Sequence, residues 1–267
     1  MNADRSIKLA LYIYIALAFV FIFTPIIASL VFSFNSDRFP SLPLGSFSLD
    51  WYAKVLGRPE VLEAARNSVI VAVCSAILST FIGFCTAYTD YRYNFKYKSA
   101  YLALALLPPT IPLIIMALAM LSWLAQIGLS GKTVSIIIAH TVLGAPFAMA
   151  VIRLRLNDMD TSLEAASWNL GASEWRAMWE VVVPFTKPSI IAALCLTAAV
   201  SFDEFAVAWF VSGLNKTVPV VILEILQGNV DPQINAIGTF VFVISMTLII
   251  IAQALTLSRG KKGDATQ

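Results

Sequence analysis

Six long apolar stretches constrain this chain more than any other feature of its sequence. The hydrocarbon core of a bilayer is about 30 Å thick, so a helix rising about 1.5 Å per residue needs roughly 20 apolar residues to cross it. The six stretches of this length are residues 9–34, 67–89, 100–124, 133–152, 189–211 and 237–257. Because lipid offers no hydrogen-bond partners to the backbone, the sequence predicts an all-α membrane protein with six transmembrane helices.

The composition excludes the soluble and the disordered classes of protein. Apolar residues make up 59% of the chain and charged residues only 13%, whereas a soluble domain carries roughly 25% charged residues. A mean hydropathy of +0.81 is the opposite of a disordered composition. The first apolar stretch is much longer than the apolar region of a signal peptide, so we expect it to be retained as a transmembrane helix.

The distribution of Lys and Arg predicts that both termini lie in the cytoplasm. With the amino terminus inside, the cytoplasmic segments hold twelve of the 18 Lys and Arg residues. This is the bias of the positive-inside rule. Cys74, Cys85 and Cys195 all fall inside apolar stretches and form no Cys-x-x-Cys pair, so neither a disulfide nor a metal site is expected.

The cytoplasmic segment 153–187 begins with the signature of a short helix. Thr161-Ser-Leu-Glu164 has the pattern of a capping box, in which each end residue hydrogen-bonds the backbone of the other. Asp158 and Asp160 stand just ahead, where the helix dipole favours negative charge. The segment therefore predicts a short helix that is capped by Thr161.

The same segment predicts a second helix after a hinge. Gly171 is placed to end the first helix in a left-handed conformation. Ser173 can cap a second helix at 174–183, and Pro184 is expected to follow its end. Because Ala165 and Ala166 have small side chains, another protein could pack closely against the first helix.

These residues resemble the EAA signature of ABC importer permeases, E-A-A-x3-G-x9-I-x-L-P, which lies in the last large cytoplasmic loop of that family. The resemblance rests on Glu164-Ala165-Ala166, Gly171 and Val181-Val-Val183-Pro184. Among subfamilies, the chain is most similar to the spermidine/putrescine permeases. The segments that carry this likeness are Phe32-Ser-Phe-Asn35-Ser36, Trp51-Tyr52, Ser201-Phe-Asp203-Glu204 and Asn229-Val-Asp231-Pro232-Gln-Ile-Asn235-Ala236.

The resemblance implies a type I ABC importer permease fold in a bacterial inner membrane. It implies three parts: a first helix with its outer loop at 1–64, a core permease domain at 65–257 with the coupling loop 153–187, and a cytoplasmic tail at 258–267. In that family Glu164, Ala165, Ala166 and Gly171 would belong to the helix that seats in a groove of the ATPase.

The resemblance also implies the partners and the division of labour. The chain would be a non-catalytic subunit that forms half of a translocation pathway for a small organic cation, a polyamine. It would pair with a second, different permease, two ATPase subunits and a periplasmic substrate-binding protein, and it would contact no nucleic acid. The chain would hold no cofactor, because ATP and Mg belong to the ATPase.

Two adjacent acids mark a candidate substrate pathway. Asp203 and Glu204 lie inside the fifth apolar stretch, where an ionisable residue costs roughly 2.5–3.5 kcal/mol and must face a cavity or a partner. On a continuous helix the two would point about 100° apart. An uncompensated negative pair suits a cation, and the faces of Trp123 and Trp209 could attract an amine. The alternative interpretation is a hydrogen-bonded pair between helices or a contact with the partner permease.

Other interpretations stay open at this point. Pro108, Pro109 and Pro112 break the third stretch, either to line a transport route or only to pack. A secondary transporter without an ATPase could use the same acids, but the coupling loop would then have no purpose. An intramembrane enzyme would need a nucleophile beside His140, the single histidine, and the sequence has no nucleophile elbow.

Overall fold

The computed structural model describes residues 2–37, 44–160, 162–228 and 232–257. The described residues form helices and contain no β-strand beyond a single bridge between Asn35 and Phe47. In chain order the α-helices are α1 (Asn2–Ser33), α2 (Asp50–Leu56), α3 (Pro59–Arg92), α4 (Lys98–Ala105), α5 (Leu113–Gln126), α6 (Thr133–Asn157), α7 (Ser162–Asn169), α8 (Glu174–Ala177), α9 (Val183–Asp203), α10 (Ala206–Val211), α11 (Val218–Gly228) and α12 (Gln233–Leu257). The all-α fold is confirmed.

Two compact units divide the chain, one of Met1–Val61 and Ile222–Phe242, the other of Leu62–Val221 and Val243–Gln267. In the first unit the indole Nε1 of Trp51 donates to the carbonyl of Asn35 at 2.7 Å. The hydroxyls of Ser33 and Tyr52 are 2.7 Å apart, and the Tyr52 ring packs edge-on against Phe240. These contacts fix α2 against the carboxyl-terminal end of α1.

In the second unit, α6 packs against several helices, and it lies very near α3 at two glycines. A Cβ added at Gly83 would lie 2.6 Å from the backbone nitrogen of Met149, and one at Gly144 would lie 2.6 Å from the Ser79 hydroxyl. Small residues allow helix backbones to pack this closely in membranes. Ala87 and Ala148, fully buried, belong to the same contact region.

Five helices of the described residues are long and apolar enough to cross a membrane: Ile7–Ser33, Pro59–Arg92, Thr133–Asn157, Glu174–Asp203 and Gln233–Ala254. The third predicted span is not a single helix. It consists of α4, a 3₁₀ turn at Pro108–Thr110, and α5. The prolines remove backbone donors and clash with a continuous helix, which explains the interruption. The count of six spans and the cytoplasmic termini stay predictions.

The helix after Ser173 does not end at Pro184. A π-helical turn, Met178–Val182, joins α8 to α9, and one helix runs over Glu174–Asp203. Pro184 occupies the first turn of α9. The wider turn ahead of it is a common way to fit a disruption into a helix without breaking it. The prediction of a helix that ends at Val183, just before Pro184, was therefore wrong.

Candidate functional site

The hairpin of α7 and α8, in the segment predicted to be cytoplasmic, is hinged at Gly171, as predicted. Gly171 has a φ of +86°, which favours glycine. The N–H of Gly171 donates to the carbonyl of Trp168 at 2.8 Å, and the N–H of Ala172 to that of Ser167 at 3.0 Å. This is a Schellman motif, which satisfies the last carbonyls of α7.

Two side chains support the starts of the hairpin helices. The Ser173 hydroxyl accepts from the N–H of Arg176 at 3.3 Å and caps α8, as predicted. The Asp160 carboxylate accepts from the N–H of Ser162 at 2.8 Å, and this hydrogen bond holds the pKa of that carboxyl below its ordinary value. The predicted capping box includes Thr161, which lies outside the described residues.

Glu164 points into the protein. Only 3% of its surface is exposed. The Tyr88 hydroxyl donates to Glu164 Oε1 at 3.4 Å, and Arg92 Nε lies 3.8 Å from Oε2. A buried carboxylate needs such partners. Glu164 therefore anchors α7 to the end of α3.

Arg92 contacts both helices of the hairpin. The sequence analysis counted it only as one of the basic residues on the predicted cytoplasmic side and did not predict this role. Its guanidinium carbon lies 4.5 Å from the centre of the Trp168 ring, and Nη2 lies 3.9 Å from Glu174 Oε1. Glu164 and Trp168 belong to α7 and Glu174 to α8, so one side chain of α3 spans the hinge. The only sequence signal was a basic residue at the end of a span.

The register of the EAA signature is offset by one residue. Four residues separate Ala166 from Gly171, whereas the signature has three. The later part agrees, with nine residues between Gly171 and Val181. Counted back from Gly171, the three signature positions are Ala165, Ala166 and Ser167. The placement of Glu164 at the first position of the signature was therefore wrong by one residue. Ala165 is half-buried and Ala166 is exposed.

The hairpin and the turn that follows it expose several large apolar side chains. Leu170, at the hinge, is 90% exposed, and Leu163, Trp175 and Trp179 are also exposed. Exposed apolar side chains grouped on a polar segment are typical of surfaces that bind another protein. The geometry can therefore offer a partner an apolar contact backed by a rigid anchor.

Asp203 and Glu204 do not share a helix. Asp203 is the last residue of α9, Glu204 has an extended conformation, and α10 begins at Ala206. Glu204 is buried and its Oε1 accepts from the N–H of Val207 at 2.8 Å. Asp203 is exposed, and its Oδ1 accepts from the Ser245 hydroxyl of α12 at 2.8 Å. The expected 100° helical separation was wrong because the helix ends between them.

The two tryptophans lie on different elements. Trp209 belongs to α10 and packs against a core of α5, α6 and α10 side chains, while Trp123 in α5 is half exposed. Among the described residues, neither tryptophan makes a hydrogen bond or a ring contact with Asp203 or Glu204. Within the described ranges, no hydrogen bond or ring contact therefore joins the predicted tryptophans to the predicted acids.

His140 belongs to a buried polar chain. Its Nδ1 lies 2.8 Å from the Ser201 hydroxyl, which in turn accepts from Ser75 at 3.0 Å. No acid takes part in this chain of contacts. Across the described ranges, no group of three His, Cys, Asp or Glu residues is placed to hold a metal ion.

Comparisons with known proteins agree on one family. The family described as binding-protein-dependent transport system inner membrane component matches residues 79–257. A spermidine/putrescine transport system permease protein, PotC of Haemophilus influenzae, is 31% identical over 236 residues, which is 88% of this chain and 91% of the relative. A molybdate/tungstate transport system permease protein, WtpB of Thermococcus kodakarensis, is 32% identical over 176 residues, 66% of this chain and 71% of that relative.

The fold likewise has solved counterparts. A chain of a bacterial ABC transporter that imports the acidic polysaccharide alginate superposes with a TM-score of 0.75. The superposition covers 97% of both chains at 16% identity. At this identity the likeness establishes the type of fold and nothing about the substrate.

Proposed function

Since this chain belongs to the inner membrane components of binding-protein-dependent transport systems, we propose that it forms half of the translocation pathway of an ABC importer for polyamines. The observation that carries the proposal is the similarity to a spermidine/putrescine permease along 88% of the chain. The similarity to the molybdate/tungstate permease extends over a smaller share, 66%.

The charge of the pathway supports a cation. Asp203 is an exposed carboxylate at the end of α9, and no Lys or Arg occurs between residues 188 and 211. An exposed carboxylate within a span must face water or a partner, because lipid cannot solvate it. Asp203 is therefore the acid that we assign to the pathway, with Ser245 holding its orientation, while Glu204 supports the start of α10. Trp123 and Trp209 remain candidates for contact with the amine.

The exposed side of the hairpin supports a role in coupling. We assign Ala165, Ala166 and Gly171 to the surface that contacts the ATPase, and Glu164 to the anchor behind it. ATP and Mg would act in two ATPase subunits, and a second permease and a periplasmic binding protein would complete the complex in the bacterial inner membrane. The chain itself would supply no catalytic group.

Reconstitution tests the transport proposal. Proteoliposomes holding this chain, its partner permease and the ATPase, with the binding protein outside, should take up labelled spermidine or putrescine only when ATP is supplied inside. Molybdate should not be taken up. Uptake by the purified chain alone, without ATP, would instead support the secondary-transporter alternative. Uptake of molybdate but not of polyamine would contradict the substrate assignment.

A substitution at Ala166 tests the coupling surface separately. Ala166→Arg adds a long side chain at an exposed position, so the chain should fold but associate weakly with the ATPase. Ala166→Ser, which changes the volume little, should retain association and transport. Measured by co-purification of the ATPase, equal recovery with both variants would contradict the assignment.

A further inference from the structure

A basic cleft opens where three helices end on the predicted cytoplasmic side. It has a volume of about 510 Å³. Its walls come from the end of α3, the following turn, the start of α4 and the end of α6. The lining residues are Asp90, Tyr91, Asn94, Phe95, Lys96, Lys98, Ser99, Leu102, Arg153 and Asn157.

The cleft carries more positive than negative charge. The buried Asp90 carboxylate lies 2.5 Å from Arg153 Nε and 3.2 Å from Lys98 Nζ, and Lys98 also donates to the Asp90 carbonyl. Two cations thus share one acid. Lys96 is exposed beside the Tyr97 ring, and among the described residues it forms no ion pair with a carboxylate. Three cations against one acid leave the cleft cationic.

The cleft also offers hydrogen-bond donors and an apolar wall. The Asn94 and Asn157 amides and the Ser99 hydroxyl line it, and Phe95 and Leu102 lie on the same walls. A single small anion would use only the donors. A group that is anionic at one end and apolar at the other would use both walls.

The cleft lies at the ends of predicted membrane spans, which is the depth of the lipid headgroups. Arg92 ends α3, Lys98 begins α4, and Asn157 ends α6. Tyr93 and Tyr97, both exposed, flank the cleft in sequence, and aromatic residues are enriched at this level. Basic pockets between helices on the cytoplasmic side are typical sites for anionic headgroups. We propose that the basic cleft binds the phosphate of an anionic membrane lipid, with Lys96 as its free cationic ligand.

Native mass spectrometry of the delipidated full-length chain in detergent tests the site, with phosphatidylglycerol and phosphatidylcholine as probes. The chain should retain phosphatidylglycerol in preference to phosphatidylcholine. Lys96→Gln should weaken phosphatidylglycerol binding about fivefold, the effect of one basic residue near an anionic lipid. Lys187→Gln, which removes the same charge from an exposed position of α9 outside the cleft, should leave binding unchanged.

A second variant distinguishes binding in the cleft from nonspecific electrostatic attraction of the anionic lipid to the protein surface. Ser99→Phe fills the cleft without changing its charge, so it should abolish the preference for phosphatidylglycerol. Circular dichroism should show the helical content of the unmodified chain in each variant. Equal lipid binding by all variants would overturn the site.

A competition experiment distinguishes a lipid phosphate from free inorganic phosphate as the ligand of the cleft. Excess inorganic phosphate should not displace phosphatidylglycerol if the apolar wall contributes. Phosphate that binds the cleft and displaces the lipid completely would overturn the lipid assignment in favour of a soluble anion. Cross-linking of position 96 to the ATPase in the assembled importer would show a protein surface instead, and it too would overturn the proposal. None of these readouts depends on polyamine transport.

Discussion

At the scale of single residues, adjacent carboxylates take different roles because their surroundings differ. Glu204 is buried and accepts from the backbone N–H of Val207. Asp203 is exposed and accepts from the Ser245 side chain. A glutamine oxygen can replace the acceptor in the first role, whereas no neutral side chain can replace a charge offered to a cation.

Asp203→Asn and Glu204→Gln therefore form a matched pair that each removes one negative charge. We expect Asp203→Asn to lower ATP-dependent polyamine uptake at least about tenfold, since hydrogen bonds to charged groups contribute roughly 1.5–3 kcal/mol. Glu204→Gln should keep most of the uptake. Initial rates in proteoliposomes with equal amounts of complex measure both. The reverse order of effects would assign the pathway to Glu204.

Arg92 is the second residue whose environment sets its role. Arg92→Gln leaves the Glu164 carboxylate buried without a cation, so the free energy of unfolding should fall by roughly 1–3 kcal/mol. Glu174→Gln removes the exposed partner of Arg92, and an exposed pair contributes only about 0–1 kcal/mol. Thermal unfolding of the two purified variants in detergent gives the comparison. Equal midpoints would contradict the anchoring role of Arg92.

At the scale of elements, the crossing of α3 and α6 depends on the absence of a side chain at Gly83. The obstacle there is the backbone of Met149, which cannot move aside as a flexible side chain could. This position differs from Gly238 in α12, where an added Cβ would meet nothing within 4 Å. The same change from glycine to alanine at the two positions therefore compares a tightly packed site with an open one.

Gly83→Ala should destabilise the chain by roughly 1–3 kcal/mol, the usual cost of overpacking. Gly238→Ala should be neutral or slightly stabilising, because alanine is the better helix former. The midpoints of thermal unfolding in one detergent measure both variants. If Gly83→Ala is as stable as Gly238→Ala, the conclusion that α3 and α6 pack too closely at Gly83 to admit a methyl group is contradicted.

At the scale of the whole molecule, the interrupted third span decides the topology. If α4, the proline turn and α5 together cross the membrane once, the loop after α5 lies outside and the α7–α8 hairpin lies inside. If they do not cross, α6 still separates the two segments, so the loop after α5 lies inside and the hairpin lies outside. The apolar length of the segment 100–124 favours crossing.

Cysteine labelling in intact cells distinguishes the two topologies. In a chain with Cys74, Cys85 and Cys195 replaced by alanine, Ser130→Cys should react with a membrane-impermeant maleimide. Asn169→Cys in the hairpin should react only after permeabilisation. Both positions are exposed. The reverse pattern, with Asn169→Cys labelled in intact cells and Ser130→Cys labelled only after permeabilisation, would contradict the six-span prediction and the cytoplasmic hairpin together.

The sequence by itself determined what depends on local chemistry. Apolar length predicts membrane helices because the backbone must be satisfied within each segment. The hinge at Gly171 and the cap at Ser173 follow from conformations and hydrogen bonds that span a few residues, and the structure shows both. The prolines of the third stretch also predicted its interruption, although they did not predict the exact ends of α4 and α5.

Only the tertiary structure decided what depends on distant partners. Glu164 turned inward because Tyr88 and Arg92, more than 70 residues earlier, supply the partners for a buried carboxylate. Asp203 was distinguished from Glu204 by Ser245 on α12 and by a helix end that no proline or glycine marks. The basic cleft combines three helix ends, and local patterns do not specify which ends meet. Packing fixed these relationships because a charge leaves water only where the fold provides its partner.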